Sequence, residues 1–238
     1  MEKVAKTKYL KLPFLFDEDK LVNDLQQLLT SDWIPHFNQQ GYTGEWNSLP
    51  LYAPGGNPNN ILAYAEASEK IIATPILKDC KYFQQLIARF LCPFSSVRLL
   101  RLNAGAYIKP HRDFRSGYED DFFRLHVPII TNSEVNFTLD GQRLRMQPGE
   151  CWYTNVNYVH SVSNNGSTDR IHLVIDGKRN EWSDTLFFSL APEESFLQKE
   201  EQALEPATIR LMIEELRLQD GEGAKALIKS LEQKLFGV

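Results

Sequence analysis

The chain has 238 residues, of which 42% are hydrophobic and 24% are charged, and its formal net charge is −5. This composition is typical of a globular protein and excludes an intrinsically disordered chain. The acidic balance argues against binding to nucleic acid or to an anionic membrane surface, because either partner would need a basic face.

The first 94 residues predict a segment of helices and loops that packs on a core further along the chain. Residues 8–16, KYLKLPFLF, are typical of a strand, and a helix with an acidic first turn is predicted over 17–33. Residues 33–60 are rich in Gly, Asn, Pro and aromatic side chains, which favours ordered loops. Apolar residues at helical spacing predict a second helix near 78–91.

Between residues 95 and 190 the sequence changes to short runs of β-branched and aromatic residues that are interrupted by turn dipeptides. Asp140-Gly141 separates VNFTL from QRLRM and predicts a β-hairpin, while Pro148-Gly149 predicts a second turn. Several short strands at this spacing predict an antiparallel sandwich or barrel. The fold class expected is therefore mainly β with flanking helices, an α+β arrangement.

Residues 191–238 predict a C-terminal helical segment. The stretches PATIRLMIEELRLQ and GAKALIKSLEQKLF are amphipathic and are separated by DGEG. Such helices serve as packing surfaces or as the interface of a homodimer. The chain is thus expected to form one overall domain, with a β core over 95–190 between the segments 1–94 and 191–238.

The cysteines and the absence of long apolar runs bear on location. Cys80, Cys92 and Cys151 are odd in number and show no CxxC spacing, which predicts reduced thiols in the cytosol. No apolar run reaches the length of a secretory signal or a membrane span. We therefore expect a cytoplasmic protein without a membrane segment.

One short motif in the β region predicts metal binding. In the stretch YIKPHRDFRSG, His111 and Asp113 are two residues apart, so in an extended strand both side chains lie on one face. Alone, such a triplet could be a surface pair. His160, in the predicted strand NYVHSVSN, supplies a third ligand. Two histidines and one carboxylate form the facial set of non-haem Fe(II) oxygenases, whereas the residues of a structural zinc site are absent.

An arginine adds a second function to this set. Arg170 lies ten residues after His160 and opens the predicted strand RIHLVID. Iron that activates oxygen needs electrons, which a chelating keto acid can supply. The planar guanidinium of arginine suits the distant carboxylate of such a co-substrate.

These residues carry a resemblance to a known family. The stretch LLRLNAGAYIKPHRD…FRLHVPIIT…RLRMQPGECWYTNVNYVHSVSNNGSTDRIHLVID, within 95–178, resembles the 2-oxoglutarate/Fe(II) dioxygenases. More narrowly, it is similar to the aspartyl/asparaginyl β-hydroxylase branch, which includes bacterial hydroxylases of free proline. The resemblance implies a double-stranded β-helix, or jelly-roll, cupin-like core. It also implies that His111, Asp113 and His160 bind iron and that Arg170 binds the far carboxylate of 2-oxoglutarate.

The same resemblance assigns further residues to the site. The triplet RLH matches a family position where a histidine, here His126, helps to hold the co-substrate and an arginine, here Arg124, faces the substrate. Tyr107 and Asn103 precede the metal motif and are expected to bind substrate if the strand points them inward; otherwise they belong to the rim.

The expected function is hydroxylation of an unactivated C–H bond in an amino acid or a similar carboxylate, using Fe(II), 2-oxoglutarate and O2 and releasing succinate. A small cytosolic substrate is favoured, while hydroxylation of Asp or Asn side chains in a protein or of a carrier-bound substrate stays open. Two other classes also stay open, namely a non-catalytic β-barrel binding module and a metal-dependent hydrolase or isomerase.

Overall fold

The structure is a computed structural model that describes residues 7–61, 69–113 and 115–196, together with residues 210, 213, 228, 231, 232 and 235. The chain divides into two compact units, residues 1–197 and 198–238. The described elements of the first unit are, in chain order, β1 Tyr9–Leu15, α1 Glu18–Gln26, β2 Ile34–Pro35, β3 Tyr42–Thr43, β4 Trp46–Pro54, β5 Ile71–Ala73, α2 Lys81–Ile87, β6 Phe94–Leu102, β7 Tyr107–His111, β8 Phe122–Ile130, β9 Val135–Leu139, β10 Gln142–Leu144, β11 Glu150–Thr154, β12 His160–Asn164, β13 Arg170–Lys178 and α3 Glu181–Phe188.

The strands form two antiparallel sheets. The large sheet has the order β1-β11-β8-β13-β6-β4-β2, with β5 on β4, and the small sheet has the order β10-β9-β12-β7-β3. Neighbouring strands are mostly distant in sequence, which is the topology of a double-stranded β-helix. The predicted fold class is confirmed.

The alternation of side chains along β13 explains how the large sheet serves two purposes. Ile171, Leu173 and Ile175 belong to the core that contains the helices, whereas Val174 packs in the core between the sheets. Successive side chains of a strand point to opposite faces, so Arg170, His172 and Asp176, which alternate with these three apolar residues, face the space between the sheets. The inner face of this strand therefore carries the polar groups.

The two cores differ in composition. The outer core packs the large sheet against the helices and is almost entirely apolar, with Leu21, Leu25, Phe83, Leu86, Leu99, Leu125, Leu173 and Phe187 among its members. The inner core is smaller and joins both sheets through Trp46, Leu100, Leu102, Ile108, Phe137, Leu139, Val162 and Val174. Burial of the outer core supplies most of the hydrophobic stabilisation, which leaves room between the sheets for a polar site.

The predicted start of the first helix and the predicted hairpin turn are both present in the structure. The helix predicted over 17–33 begins as expected, because the side chain of Asp17 caps it by accepting the backbone N–H of Lys20 at 3.1 Å, but α1 ends at Gln26. The predicted hairpin joins β9 and β10, and Asp140 and Gly141 take the positive φ angles, 46° and 77°, that this turn requires.

The strand β4 was not predicted, because residues 33–60 were expected to form loops. Its sequence contains Pro50 and Pro54. Proline has no backbone N–H to donate to a neighbouring strand, so its presence favours a loop over a strand in a sequence-based prediction. The register of β4 on β6 shifts between Pro50 and Tyr52, so an irregularity accommodates the missing donor. The N-terminal segment thus supplies strands of the large sheet.

The helix α3 was also missed, since residues up to 190 were expected to be strand and turn. Asn180 and Ser183 form a reciprocal cap in which Ser183 N–H donates to Asn180 Oδ1 at 3.1 Å and Asn180 N–H donates to Ser183 Oγ at 2.9 Å. The two predicted C-terminal helices lie outside the described residues apart from six positions. Four of these, Ile213, Ile228, Leu231 and Leu235, form a small apolar cluster. Within the described ranges, no helix has the length and apolar character needed to cross a membrane.

The turn at Gly149 provides a test of the contact between β11 and the N-terminal segment. Gly149 has φ 73°, and a Cβ there would lie 2.4 Å from the backbone oxygen of Phe16. Gly141 has φ 77° with open space around it. We predict that Gly141→Ala costs about 1 kcal/mol of unfolding free energy from backbone strain alone, and that Gly149→Ala costs about 1–3 kcal/mol more from the collision. Urea denaturation of both variants measures the difference, and equal losses would contradict the close approach.

Candidate metal and co-substrate site

The two predicted histidine ligands are brought together by strand pairing. His111 ends β7 and His160 begins β12, and the two residues are direct partners in the antiparallel ladder. Their ring centroids are 4.2 Å apart. The register shifts by an irregularity between His160 and Val162. The backbone therefore places both rings at the same edge of the small sheet.

Backbone carbonyl groups orient both rings. His111 Nδ1 lies 2.8 Å from the carbonyl oxygen of Lys109, and His160 Nδ1 lies 3.0 Å from that of Tyr158. A carbonyl oxygen only accepts hydrogen bonds, so each Nδ1 carries a proton, and in the neutral form of either ring the lone pair is on Nε2. Burial lowers the pKa of His160 to about 4, which keeps this ring neutral at pH 7.

The third predicted ligand, Asp113, lies just beyond the end of β7. Its backbone N–H donates to Val156 O at 2.9 Å, which ties the residue to the segment that precedes β12. Ligand atoms of His111, Asp113 and His160 all lie within 4.8 Å of one another. Asp113 Oδ1 is 3.7 Å from His111 Nε2. Two imidazole lone pairs and one carboxylate oxygen thus converge on a volume suited to one divalent ion.

Arg124 contacts the other oxygen of Asp113. Its Nη1 donates to Asp113 Oδ2 at 2.5 Å, while its Nε donates to Asp176 Oδ1 at 2.7 Å. Arg124 and Asp176 are direct cross-strand partners on β8 and β13. Burial alone would raise the pKa of Asp113, but the charge of Arg124 and its hydrogen bond to the carboxylate outweigh this effect and hold the pKa below 3.8. The carboxylate is therefore ionised and fixed in orientation.

A second arginine completes a chain of buried charges. Arg98 Nη1 donates to Asp176 Oδ2 at 2.7 Å, and Ser96 Oγ donates to the same oxygen at 3.0 Å. Burial of Asp176 is complete and would raise its pKa, but Arg124 and Arg98 hold that pKa well below its usual range. Neither Arg98 nor Asp176 was predicted, although Asp176 shares a strand face with Arg170 and could have been found by counting along β13.

Arg170 differs from the other two arginines because its guanidinium has no carboxylate partner among the described residues. The residue is 2% exposed, its Nη2 donates to His172 Nδ1 at 2.8 Å, and its buried Nε has no hydrogen-bond partner. Burial lowers the pKa of Arg170 to about 9, so the group is still charged at pH 7. His126 is also buried, and within the described ranges neither of its ring nitrogens has a partner.

These residues share one cavity of about 380 Å³. The three candidate ligands line it together with Arg98, Arg124, His126, Phe137, Arg170, His36 and Trp46. His36 stacks on Trp46 with ring centroids 3.5 Å apart and an interplanar angle of 13°. The structure therefore gathers the predicted ligands, Arg124, His126 and Arg170 in one place, and adds an aromatic wall.

Tyr107 and Asn103, which were expected to bind substrate if they pointed inward, do not line this cavity. On β7 the alternation turns Ile108 inward, where it is 3% exposed, and leaves Tyr107 37% exposed. The amide of Asn103 donates to Glu45 at 2.9 Å. The sequence left the direction of these two side chains open, and the structure places both outside this cavity.

The chain belongs to the aspartyl/asparaginyl β-hydroxylase family, whose model matches residues 16–180. Among curated proteins, it is 29% identical over 201 residues to the L-proline cis-4-hydroxylase of Rhizobium meliloti (strain 1021), covering 84% of this chain and 66% of that protein. It is 27% identical over 168 residues to L-proline cis-3-hydroxylase 1 of Streptomyces sp, covering 67% of this chain and 56% of that protein. The chain thus spans less than two thirds of the length of either relative.

A solved structure of an oxidoreductase of the 2OG-Fe(II) oxygenase family from Burkholderia pseudomallei is 13% identical, with a TM-score of 0.48. The match covers 73% of this chain and 86% of that one. A likeness of this extent carries no information about function.

The buried carboxylate of Asp176 gives a prediction about stability and pH. Asp176→Asn leaves two buried guanidinium groups without their anion, so we expect a loss of about 3–5 kcal/mol at pH 7. Because the folded pKa of Asp176 is depressed, its stabilisation is present above the ordinary value of 3.8 and decreases as pH falls below it. Denaturation of both proteins should show a smaller difference in unfolding free energy between wild type and variant at pH 3 than at pH 7.

The matched control for this experiment is Asp140→Asn. Asp140 pairs with Lys8 at 2.6 Å, but both side chains are 38% exposed, and Asn tolerates the positive φ of this position. The control should lose at most about 1 kcal/mol. If the two variants lose the same stability, the buried charge network does not contribute as described.

Proposed function

We propose that the protein is an Fe(II)- and 2-oxoglutarate-dependent oxygenase that hydroxylates a C–H bond of a small amino acid. The overall reaction converts the amino acid, O2 and 2-oxoglutarate to the hydroxylated amino acid, succinate and carbon dioxide. The observation that carries the proposal is the presence, in one cavity, of a converging His-Asp-His set and a buried guanidinium without a carboxylate partner among the described residues.

The donor set fits Fe(II) in type and number. Both histidines have their Nδ1 atoms engaged by carbonyl groups and offer Nε2, and Asp113 offers the oxygen that Arg124 does not hold. Three protein ligands leave coordination positions for a bidentate co-substrate and oxygen. When bound, the iron would supply the oxidising chemistry that amino-acid side chains lack. The chain's own contribution is to fix the ligands and to exclude water from the cavity.

The co-substrate role proposed for Arg170 follows from its surroundings. A buried charge without a counter-ion is unfavourable, and a dicarboxylate that enters the cavity would remove this cost. His126 lies on the same inner face, and its ring nitrogens have no hydrogen-bond partner among the described residues. Because burial, Arg170 and Arg124 keep the pKa of His126 well below 6.5, the ring is neutral and can donate one hydrogen bond to the near end of 2-oxoglutarate.

Charge supports an anionic substrate group. The charges of Arg98 and Arg124 are balanced by Asp113 and Asp176, which leaves Arg170 as the unbalanced charge among these buried groups. A divalent metal would add two positive charges, and 2-oxoglutarate would remove two. One positive charge remains, so the field of the site favours an orientation in which the carboxylate end of an amino acid lies beside Arg98 and Arg124.

The relatives favour a free amino acid over a protein side chain, since their names specify L-proline. Hydroxylation of Asp or Asn in a protein or of a carrier-bound substrate is the runner-up, and a binding module without catalysis is the alternative of another class. A cytoplasmic location and a homodimer through the terminal helices stay predictions from the sequence.

The first test of this function is succinate formation with Fe(II), 2-oxoglutarate and O2. His160→Ala should abolish both succinate formation and the binding of Co(II), measured by calorimetry. Arg170→Ala should keep Co(II) binding but raise the KM for 2-oxoglutarate roughly 10–100-fold, because it removes charge-assisted hydrogen bonds. The control Ser161→Ala alters the neighbouring position on β12 and should behave like wild type. Undiminished succinate from both site variants would reject the proposal.

The second test concerns the substrate. Incubation with each proteinogenic amino acid, followed by mass spectrometry, should reveal a product that has gained one oxygen atom, with L-proline first among the candidates. L-Prolinamide, which lacks the carboxylate, should not be converted. Conversion of the amide at the same rate as L-proline would exclude carboxylate recognition by Arg98 and Arg124. Conversion of an Asp- or Asn-containing peptide but of no free amino acid would favour hydroxylation of protein side chains.

A further inference from the structure

The pair formed by Arg170 and His172 has a defined proton arrangement. The two residues are one step of alternation apart on β13, each is 2% exposed, and Arg170 Nη2 lies 2.8 Å from His172 Nδ1. A guanidinium only donates, so Nδ1 of His172 accepts, and the neutral ring must carry its proton on Nε2. Burial and the neighbouring charge of Arg170 hold the pKa of His172 well below 6.5, in agreement with a neutral ring.

This arrangement leaves two donors unused. His172 Nε2 and Arg170 Nε are both buried, and neither has a hydrogen-bond partner within the part of the chain that the structure describes. Native proteins rarely leave buried donors unsatisfied, and two such donors on one pair indicate a ligand that completes them. A ligand that only accepts, such as a carboxylate, would satisfy both.

A second cavity supports an anionic ligand at this point. It has a volume of about 280 Å³ and shares Arg170 and Phe137 with the cavity of the metal ligands. His172, Arg143 and Arg145 also line it, and no Asp or Glu does so among the described residues. Arg143 is held in place by the carbonyl groups of Ser133 and Val135. The space around Arg170 and His172 therefore favours negative charge.

Resting on the co-substrate role proposed for Arg170, we propose that His172 is a second determinant of 2-oxoglutarate binding. Its Nδ1 fixes the guanidinium of Arg170, and its Nε2–H donates directly to the far carboxylate. His172 thereby helps the site to select a 2-oxo diacid over a 2-oxo acid that ends in a methyl group. A purely structural histidine would stabilise the fold without affecting this selection.

Substitutions at His172 can separate the two roles. His172→Asn keeps an acceptor near the position of Nδ1 but removes the donor, whereas His172→Gln places an amide near Nε2 and loses the acceptor for Arg170. His172→Leu removes both. With Co(II)-loaded protein and calorimetry, we expect Asn and Gln each to weaken 2-oxoglutarate binding roughly tenfold and Leu to weaken it further. Binding of 2-oxopentanoate, in which a methyl group replaces the far carboxylate, should be unchanged in all three.

Val174→Ala is the matched control. Val174 is fully buried on the same strand and face, but it does not line either cavity. It should lower the Tm without changing the ratio of the two dissociation constants. Equal weakening of 2-oxoglutarate and 2-oxopentanoate by the His172 variants, or no weakening at all, would overturn the inference.

A readout that does not need metal or turnover is the tautomer itself. Long-range ¹H–¹⁵N NMR of the metal-free protein, with His172 assigned by its loss in His172→Asn, should show the Nε2–H form. An Nδ1–H form would overturn the inference. Failure of the proposed function is distinguishable, since a wild type that binds 2-oxoglutarate but forms no succinate refutes the function alone. An active wild type whose His172 variants bind normally refutes only this inference, and a wild type that does not bind 2-oxoglutarate refutes both.

Discussion

The geometry of the candidate site depends on the antiparallel pairing of β7 with β12. This ladder places His111 opposite His160, and a slip of one residue would turn one of the two rings to the other face of the sheet. The backbone bond from Asp113 to Val156 adds the carboxylate from the same pair of chain segments. Main-chain hydrogen bonds are shared by many residues of a sheet, so the relative position of the three ligands does not rely on flexible side chains. Preorganisation of this kind reduces the reorganisation needed for metal binding.

The buried charges have two different arrangements, and the difference is informative. Asp176 bridges Arg98 and Arg124, and Arg124 extends the chain of charges to Asp113. Buried ion pairs are often no more stabilising than apolar residues of the same size, so stability alone does not account for this network. Its structural consequence is that one oxygen of Asp113 is bonded to Arg124, while the other faces His111. Arg170, in contrast, donates to a neutral histidine and has no carboxylate partner among the described residues, which leaves its charge available to a ligand.

The clustering of His111, Asp113 and His160 could be predicted from the sequence, because it depends on the short spacing of the first two residues and on the position of His160 in the next strand of the small sheet. The network around Asp176 could not, because its partner Arg98 is 78 residues away and the contact depends on the register of β13 on β6. The phase of alternation was similarly undetermined for Tyr107, whose neighbour Ile108 is the one that points inward. The strand β4 was not predicted because it contains Pro50. Composition alone does not distinguish a proline at an irregular strand position from one in a loop.

The distribution of unsatisfied polar atoms connects stability with function. Most of the described side chains with buried, unpartnered atoms lie on the inner face of the large sheet, namely Trp46, Ser48, His126, Thr154, Arg170 and His172. A buried polar atom that stays without a partner costs about 1–3 kcal/mol relative to a paired one. The outer core, which is apolar and includes residues of α1, α2 and α3, offsets this cost from the opposite face of the same strands. One sheet can therefore carry polar groups toward the cavity, because alternation separates them from the apolar residues that stabilise the fold.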